Sequence, residues 1–476
     1  MELEAVIGLE IHVQTKTRSK MFSSAPNAFG GLPNTQVGLF DVAFPGTMPS
    51  VNKEAVVHAL RLANALHMQI DPLVRFDRKN YFYPDLPKGF QITQQFHPLG
   101  KDGYLDVETG DNNTRRILIQ RLHMEEDTCK QTHFSDYTLL DYNRAGIPLL
   151  EVVTEPMISS GQEAMAFVEA LRRAVTFMGI SDGKMEEGSL RCDVNVSLRE
   201  KGEACFGPKV EIKNLNSIRS VGLAIDFEIK RQTELLENGK PITQETRRYD
   251  ERSGETVWMR DKENEVDYHY LPEPNIPPIR LSEAFIRQAI DSCPESYEGK
   301  KRRYLDMGIS RLDAEALLSD AALSSYFDKA NQDPSCVLHL IHLLLGEVLA
   351  YLNAQEVGIS SFSLSPDTLF QLAKKRNEGF THQQVVDLFD YCLDHSGEPV
   401  DHAVQILGLV PPSLDVDSAR LIASQTISDN PQSVLDYRQG KDRAFGFLVG
   451  QALKRAKGRV DPSVLAKVMA ELLKKG

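Results

Sequence analysis

The sequence predicts an α+β fold, with a mostly antiparallel sheet that leaves one polar face open, followed by helical regions. Three observations predict it. Leu3–Thr15 and Leu190–Arg199 alternate apolar and polar residues with the two-residue period of strands buried on one face. Their outer faces are wholly polar, which fits an antiparallel or mixed sheet open on one side and excludes a doubly wound parallel one. From about Leu281 onward the pattern changes to short helices with charged outer faces.

In the first strand Leu3, Ala5, Ile7, Leu9, Ile11 and Val13 fall on one side, and Glu4, Glu10, His12 and Gln14 on the other. A carboxylate and an imidazole two residues apart project from the same side of a sheet, where they can hold a divalent ion or face water on an edge strand. Gly/Pro/Asn-rich loops at Asn27–Asn34 and Phe44–Asn52 have the turn chemistry of an irregular rim. Helical spacing over Asn52–Met68 predicts a helix capped by Asn52 and packed behind the sheet.

Next, Arg78 and Lys79 run into Tyr81, Phe82 and Tyr83 and then a Pro/Gly loop holding Lys88. Cations suit phosphates and aromatics suit bases, so this stretch fits a nucleotide or an RNA end; a loop anchored by its aromatics has the same composition. Ile117–Asp127 reads as a second long strand with Ile117, Ile119, Arg121, His123, Glu125 and Asp127 on one face. In the third, Leu149–Thr154, Glu151 interrupts an apolar run. Burying an unpaired charge is costly, so Glu151 is the residue that packing explains least and the strongest functional candidate.

A helix is predicted over Gln162–Gly179, with Gly179 as its stop. Leu190–Arg199 then turns Arg191, Asp193, Asn195, Ser197 and Arg199 to the polar side, and Lys209–Lys213 adds Glu211 and Lys213. Glu10, His12, Glu125, Glu151, Arg191, Asp193, Glu211 and Lys213 would share the open face as a charged cradle. A helix over Ser217–Asn238 and strands carrying Arg247, Arg248 and Arg260 complete this region, and the four prolines of Leu271–Ile279 mark a domain exit. Beyond it, His339, His342 and Glu347 form a polar stripe on a packed helix, and Pro411–Asp415 marks another break. Lys441–Gly476 carries nine Lys/Arg against three acidic residues, which fits a phosphate-backbone contact or a solvated helical face.

Composition sets the outer bounds. With 476 residues, 41% hydrophobic and 25% charged, the chain has the make-up of an ordinary globular protein of roughly two to four domains. A net charge of -13 excludes a protein that coats nucleic acid by bulk charge, while leaving room for a local basic patch. The six cysteines form no CxxC pair, which excludes a thiolate zinc site and a disulfide framework and suits a reducing, cytoplasmic setting. MELEAVIGLE lacks the basic start of a targeting signal, and the run Leu338–Leu352 is broken by His339, His342 and Glu347, so no membrane span is expected. Gly179–Met185 falls one residue short of a P-loop, and no GxGxxG, GxSxG, HRD or DFG motif occurs. Nucleotide chemistry on this chain must therefore use carboxylates on a sheet, with Mg2+ bridging phosphates.

IGLEIHVQ, FDRKNYFYPDLPKGFQI, RLHMEED, NRAGIPLLEVV, MEEGSLRCDVNVSLR, EIKNLNS and QETRRYD resemble, in order, the signature blocks of the B subunits of aspartyl/glutamyl-tRNA amidotransferases. The tail AFGFLVGQALKRAKGRVDPSVL is similar to that family's tRNA-binding helical domain. The resemblance implies a glutamine-synthetase-like cradle over residues 1–292, a helical domain over 293–404 and a small tRNA-binding tail domain over 405–476. It also implies a GatCAB heterotrimer, in which an amidase, the A component, releases ammonia from glutamine and a small C component straps the other two together. ATP would phosphorylate the side-chain carboxylate of Glu-tRNA(Gln) or Asp-tRNA(Asn), and ammonia would displace the phosphate.

Carried over by position, His12, Glu125 and Glu151 match the family's magnesium ligands, with Glu10 beside them. Arg78, Lys79, Lys88, Arg191 and Lys213 are candidates for phosphate contact, with Lys79, Lys88, Glu10 and Glu125 as catalytic groups. Tyr81 and Tyr83 are candidates for stacking on adenine or on the terminal base of the tRNA. Some relatives carry CxxC zinc ligands after the first strand; Asn27–Asp41 has none, so no zinc is expected. Cys129 stands where a glycine is commoner, away from these ligands. The competing reading is a stand-alone ATP-dependent carboxylate-amine ligase of the glutamine synthetase type acting on a small acid.

Overall fold

The computed structural model describes residues 2–110, 113–261, 268–411, 416–439, 441–456 and 460–475. The chain divides into two compact units, Met1–Tyr297 and Glu298–Gly476.

The strands of the first unit are β1 (Leu3–Gln14), β2 (Gln69–Ile70), β3 (Leu73–Val74), β4 (Asp77–Asn80), β5 (Phe90–Thr93), β6 (Gly100–Glu108), β7 (Thr114–Glu126) and β8 (Lys130–His133). They continue with β9 (Thr138–Asp141), β10 (Pro148–Thr154), β11 (Leu190–Glu200), β12 (Val210–Lys213), β13 (Glu245–Asp250), β14 (Glu255–Asp261), β15 (His269–Pro272) and β16 (Ile279–Arg280). Nine of them form one sheet in the order β14-β13-β12-β11-β1-β10-β7-β6-β2. Every neighbouring pair in it is antiparallel except β12 and β13. The fold is α+β, as the alternation predicts.

Three helices, α1 (Lys53–Ala65), α2 (Gly161–Phe177) and α3 (Ile218–Glu237), lie on the apolar side of this sheet. Asn52 caps α1, its side chain accepting from the backbone N–H groups of Glu54 and Ala55, a contact worth about 1 kcal/mol. Ser160 and Ser217 cap α2 and α3 in the same way. The two helices approach closely where Gly161 faces Gly222: a Cβ on Gly161 would lie 2.6 Å from the Gly222 carbonyl oxygen. Ile7, Leu9, Ile11 and Val13 of β1 are fully buried beneath the helices, which leaves the polar side of β1 for the site.

In β7 the observed phasing departs from simple alternation. Ile117 and Ile119 are buried in the core, yet so are Leu122 and Met124, an odd number of residues further on. Against β10 the register slips by one, with Val153 opposite Arg121 but Thr154 opposite Ile119. Gln120 is thus the extra residue of a β-bulge, which puts Arg121, His123 and Glu125 on the open face and Ile117 and Ile119 on the other. On β6, Asp102 takes a left-handed backbone (φ 51°) between the Lys101–Arg121 and Gly103–Ile119 pairs.

The proline-rich stretch is woven into the first unit. β15 pairs with β4 and β16 with β3, Ile276 is buried, and α4 (Glu283–Asp291) follows against α1. The small sheet β15-β4-β5 docks on the end of β7, where Gln91 Nε2 donates to the Glu126 carbonyl at 2.7 Å and the Met124 N–H donates to Gln94 Oε1 at 2.9 Å. The rim loops are pinned from within by Lys20 and Asp41, both fully buried, with Nζ 3.2 Å from Oδ2.

In the second unit among the described residues all regular elements are helical. Helix Pro334–Gln355 has the length and composition of a membrane span. Its residues Leu340, Ile341, Leu344 and Val348 are buried in the unit. Ala419, Ala423, Leu448, Ala452, Leu465 and Met469 form a separate core near the C-terminus. Arg443, Lys454, Lys467 and Lys474 are exposed around it, while Lys457, Arg459, the Lys475 side chain and Pro412–Asp415 lie outside the described residues.

Candidate active site

β1 and β10 set His12 directly opposite Glu151, and β10 and β7 set Glu151 opposite His123 and Leu149 opposite Glu125. Side chains at these positions leave the same face of the sheet and converge. His12 Nε2 lies 3.4 Å from Glu151 Oε2 and 3.5 Å from Glu125 Oε1. One ligand atom each from His12, Glu125 and Glu151 fall within 4.8 Å of one another. These residues line a cavity of about 450 Å³ with Lys79, Arg121, Asp127, Arg191, Asp193, Glu211, Lys213, Arg260, Tyr268 and Tyr270. A second cavity of about 950 Å³ shares His12, Arg191, Asp193 and Lys213 with the first.

Two carboxylates and an imidazole, open to a cavity where further oxygen ligands can enter, fit a hard divalent cation such as Mg2+ or Mn2+. The electrostatics agree. Burial alone would push the His12 imidazole down, but the Glu151 and Glu125 carboxylates overcome it and raise the pKa to about 9. His123 is raised to about 9 by the same balance. Burial would raise Glu151, yet His123 and His12 hold it well below the usual carboxylate range. The cluster thus keeps an anionic centre compensated by positive charge, the role a bound cation fills.

The structure places the sequence-derived candidates unevenly. Lys79, Arg191 and Lys213 reach the cavity wall. Arg191 is held by Asp127 at 2.9 Å and Lys213 by Asp193 at 2.6 Å and Glu211 at 3.2 Å. Glu10 also lines the cavity but accepts from Asn195 Nδ2 at 2.9 Å and stands outside the three-residue ligand group. Arg78 and Lys88 do not line it. Arg78 pairs with the buried Glu273, Nε to Oε2 at 2.6 Å, and stacks on Phe90; Lys88 is 4% exposed and pairs with Glu126 Oε1 at 2.6 Å. Tyr81 sits behind Tyr268, edge-on with ring centroids 5.6 Å apart, and Tyr83 is exposed outside the cavity.

Sequence reasoning left Arg121, His123, Asp127, Gln91, Thr93, Tyr268 and Tyr270 without a role, though all line the cavity. Arg121, His123 and Asp127 share the parity of Glu125, a signal that was legible; the cavity positions of Tyr268 and Tyr270 depend on the pairing of β15 with β4, which no local pattern encodes.

Residues 5–287 match the family described as the GatB/GatE catalytic domain, and residues 325–473 match the GatB domain. The B subunit of the aspartyl/glutamyl-tRNA(Asn/Gln) amidotransferase of Bacillus licheniformis is 43% identical over 477 residues, spanning 100% of both chains. Those of Bacillus thuringiensis and Bacillus cereus are 42% identical, again over 100% of each. With full-length relatives at this identity and a catalytic-domain match over the unit that holds the cavity, the chain belongs to the family of aspartyl/glutamyl-tRNA amidotransferase B subunits.

Proposed function

We propose that the cradle of the first unit uses ATP to activate the side-chain carboxylate of Glu-tRNA(Gln) or Asp-tRNA(Asn) and converts it to the amide with ammonia, as a glutamine-dependent carbon–nitrogen ligase. The amidase of the GatCAB heterotrimer would release the ammonia and the small third component would complete the assembly, in the cytoplasm where tRNA is charged. The observation that carries the reading is the convergence of His12, Glu125 and Glu151 from three strands at one cavity. They would hold Mg2+, which when bound supplies charge neutralisation at the phosphates.

A carboxylate is a poor acceptor for an amine, and phosphorylation supplies a leaving group. In the first step a carboxylate oxygen attacks the γ-phosphorus and ADP departs; in the second, ammonia attacks the acyl carbon, inorganic phosphate departs and a proton is lost. Lys79, Arg191 and Lys213 would neutralise phosphate charge, the last two held in place by their carboxylate partners. Glu10, in the cavity wall, would take the proton. Arg78 and Lys88 would act from behind by fixing β4 and the Tyr81–Gly89 loop. Two cavities meeting at His12 allow ATP and the aminoacyl end to approach from separate sides. The exposed lysines and arginines of residues 405–476 would contact the tRNA backbone.

The test is ATP cleavage by the purified heterotrimer with and without misacylated tRNA. Stimulation by that tRNA, lost in Glu125→Gln while tRNA binding persists, supports the reading. Full activity in Glu125→Gln would overturn the ligand assignment, and cleavage stimulated equally by a free amino acid would favour the small-acid ligase.

A further inference from the structure

Arg121 enters the cavity from β7, two residues before His123 and four before Glu125, turned to that face by the bulge at Gln120. Other cations in the wall are held by carboxylates or open to water: Arg191 and Lys213 meet carboxylates at 2.9 Å and 2.6 Å, although Arg191 Nε, like that of Arg121, makes no hydrogen bond, and Arg260 is exposed. Arg121 is half-buried and has no ion-pair partner among the described residues, and its buried Nε makes no hydrogen bond. A guanidinium at a cavity wall with one buried donor unused and no ion-pair partner among the described residues is available to an anion that enters the cavity.

Lys79 reaches the same region from β4. Its ammonium also has no acidic partner among the described residues and faces the Tyr268 ring, 4.3 Å from the centroid. Tyr270 stands near both cations: burial raises its hydroxyl, while Lys79 and then Arg121 pull it back. Two cations with no acidic partner among the described residues, beside a phenol and opening on the cavity that holds the carboxylate cluster, are the donor set of an anion site, and an arginine matches phosphate oxygens by its planar fork.

We propose that Arg121, with Lys79 and Tyr270, forms a phosphate subsite of this cavity, and that Arg121 is the residue that holds the terminal phosphate of ATP. This rests on the ATP-dependent reading above. It makes Arg121 a catalytic residue, because the phosphate it holds is the one transferred.

Binding of a non-hydrolysable ATP analogue and of adenosine to the purified heterotrimer tests it. Arg121→Gln should weaken the analogue by about tenfold or more, the range of a lost charge-assisted contact, and leave adenosine unchanged. Arg121→Lys should recover part of the loss, and neither variant should lower the melting temperature, since no ion-pair partner among the described residues is left behind. An analogue affinity equal to wild type in Arg121→Gln, or an equal loss for adenosine and the analogue, would overturn the subsite while leaving ATP use intact. A wild-type complex that binds no analogue would sink the ATP reading and this inference with it.

Discussion

His123 and Glu151 stand opposite each other on β7 and β10, and the imidazole Nε2 lies 3.0 Å from Glu151 Oε2. Glu125 has Thr93 Oγ1 at 3.4 Å as a second anchor, but Glu151, 9% exposed, meets only His123 and His12 among the described residues. If His12 turns to a cation, His123 alone keeps the carboxylate in place. His123→Leu should therefore weaken Mn2+ binding by about 10–100-fold, whereas His123→Gln, which retains a donor, should stay close to wild type. Electron paramagnetic resonance of free Mn2+ reads both, and equal affinities across the series would show that His123 does not position the site.

Lys88 tests the difference between a residue that touches substrate and one that supports the fold. Its ammonium pairs with a carboxylate that is itself 1% exposed and also accepts from the Ile92 N–H at 3.0 Å. Lys88→Met should destabilise the chain by about 3–5 kcal/mol in urea unfolding, because the buried Glu126 is left without its cation. Adding Glu126→Gln should recover much of that loss. A raised KM for ATP with unchanged stability would instead assign Lys88 to phosphate.

The buried His58 of α1 gives a pH dependence with a definite sign. Burial pushes its imidazole below the ordinary value of 6.5, so the folded chain keeps it neutral while the unfolded chain takes up a proton. This contribution is fully present above pH 6.5 and is lost as pH falls toward the folded pKa, by up to about 1.4 kcal/mol per pH unit. His58→Leu should flatten that part of the stability profile. A wild-type slope in the variant would place the acid sensitivity elsewhere.

Deleting residues 405–476 should abolish most tRNA retention in a filter-binding assay while leaving ATP-analogue binding at wild-type strength. The expectation follows from the exposed Arg443, Lys454, Lys467 and Lys474 around a core that is separate from the first unit. Its salt dependence should also drop, since fewer phosphates are neutralised. Undiminished retention would move the tRNA contact to other surfaces.

The alternation of β1 and β11 was enough to anticipate the open face, and Glu151 announced itself by sitting charged in an apolar strand. These features are local, because side-chain direction in a strand follows from parity. What sequence could not supply is pairing at long range. Arg78 and Lys88 look like phosphate ligands until Glu273, 195 positions away, and Glu126 claim them. Conversely, parity places Arg121 beside His123 and Glu125, but that no carboxylate among the described residues pairs with it follows from long-range packing that no local pattern encodes. The β7 bulge was hidden for a related reason: it is defined by the register against β10, and either half of the strand alternates normally.

That bulge makes the length of β7 a stricter constraint than its composition. Substitutions on either side of Gln120 alter one contact each, but losing Gln120 or gaining a single codon beside it would shift the parity of Arg121, His123 and Glu125 together. Variation in this stretch should therefore accumulate as replacements, with indels excluded.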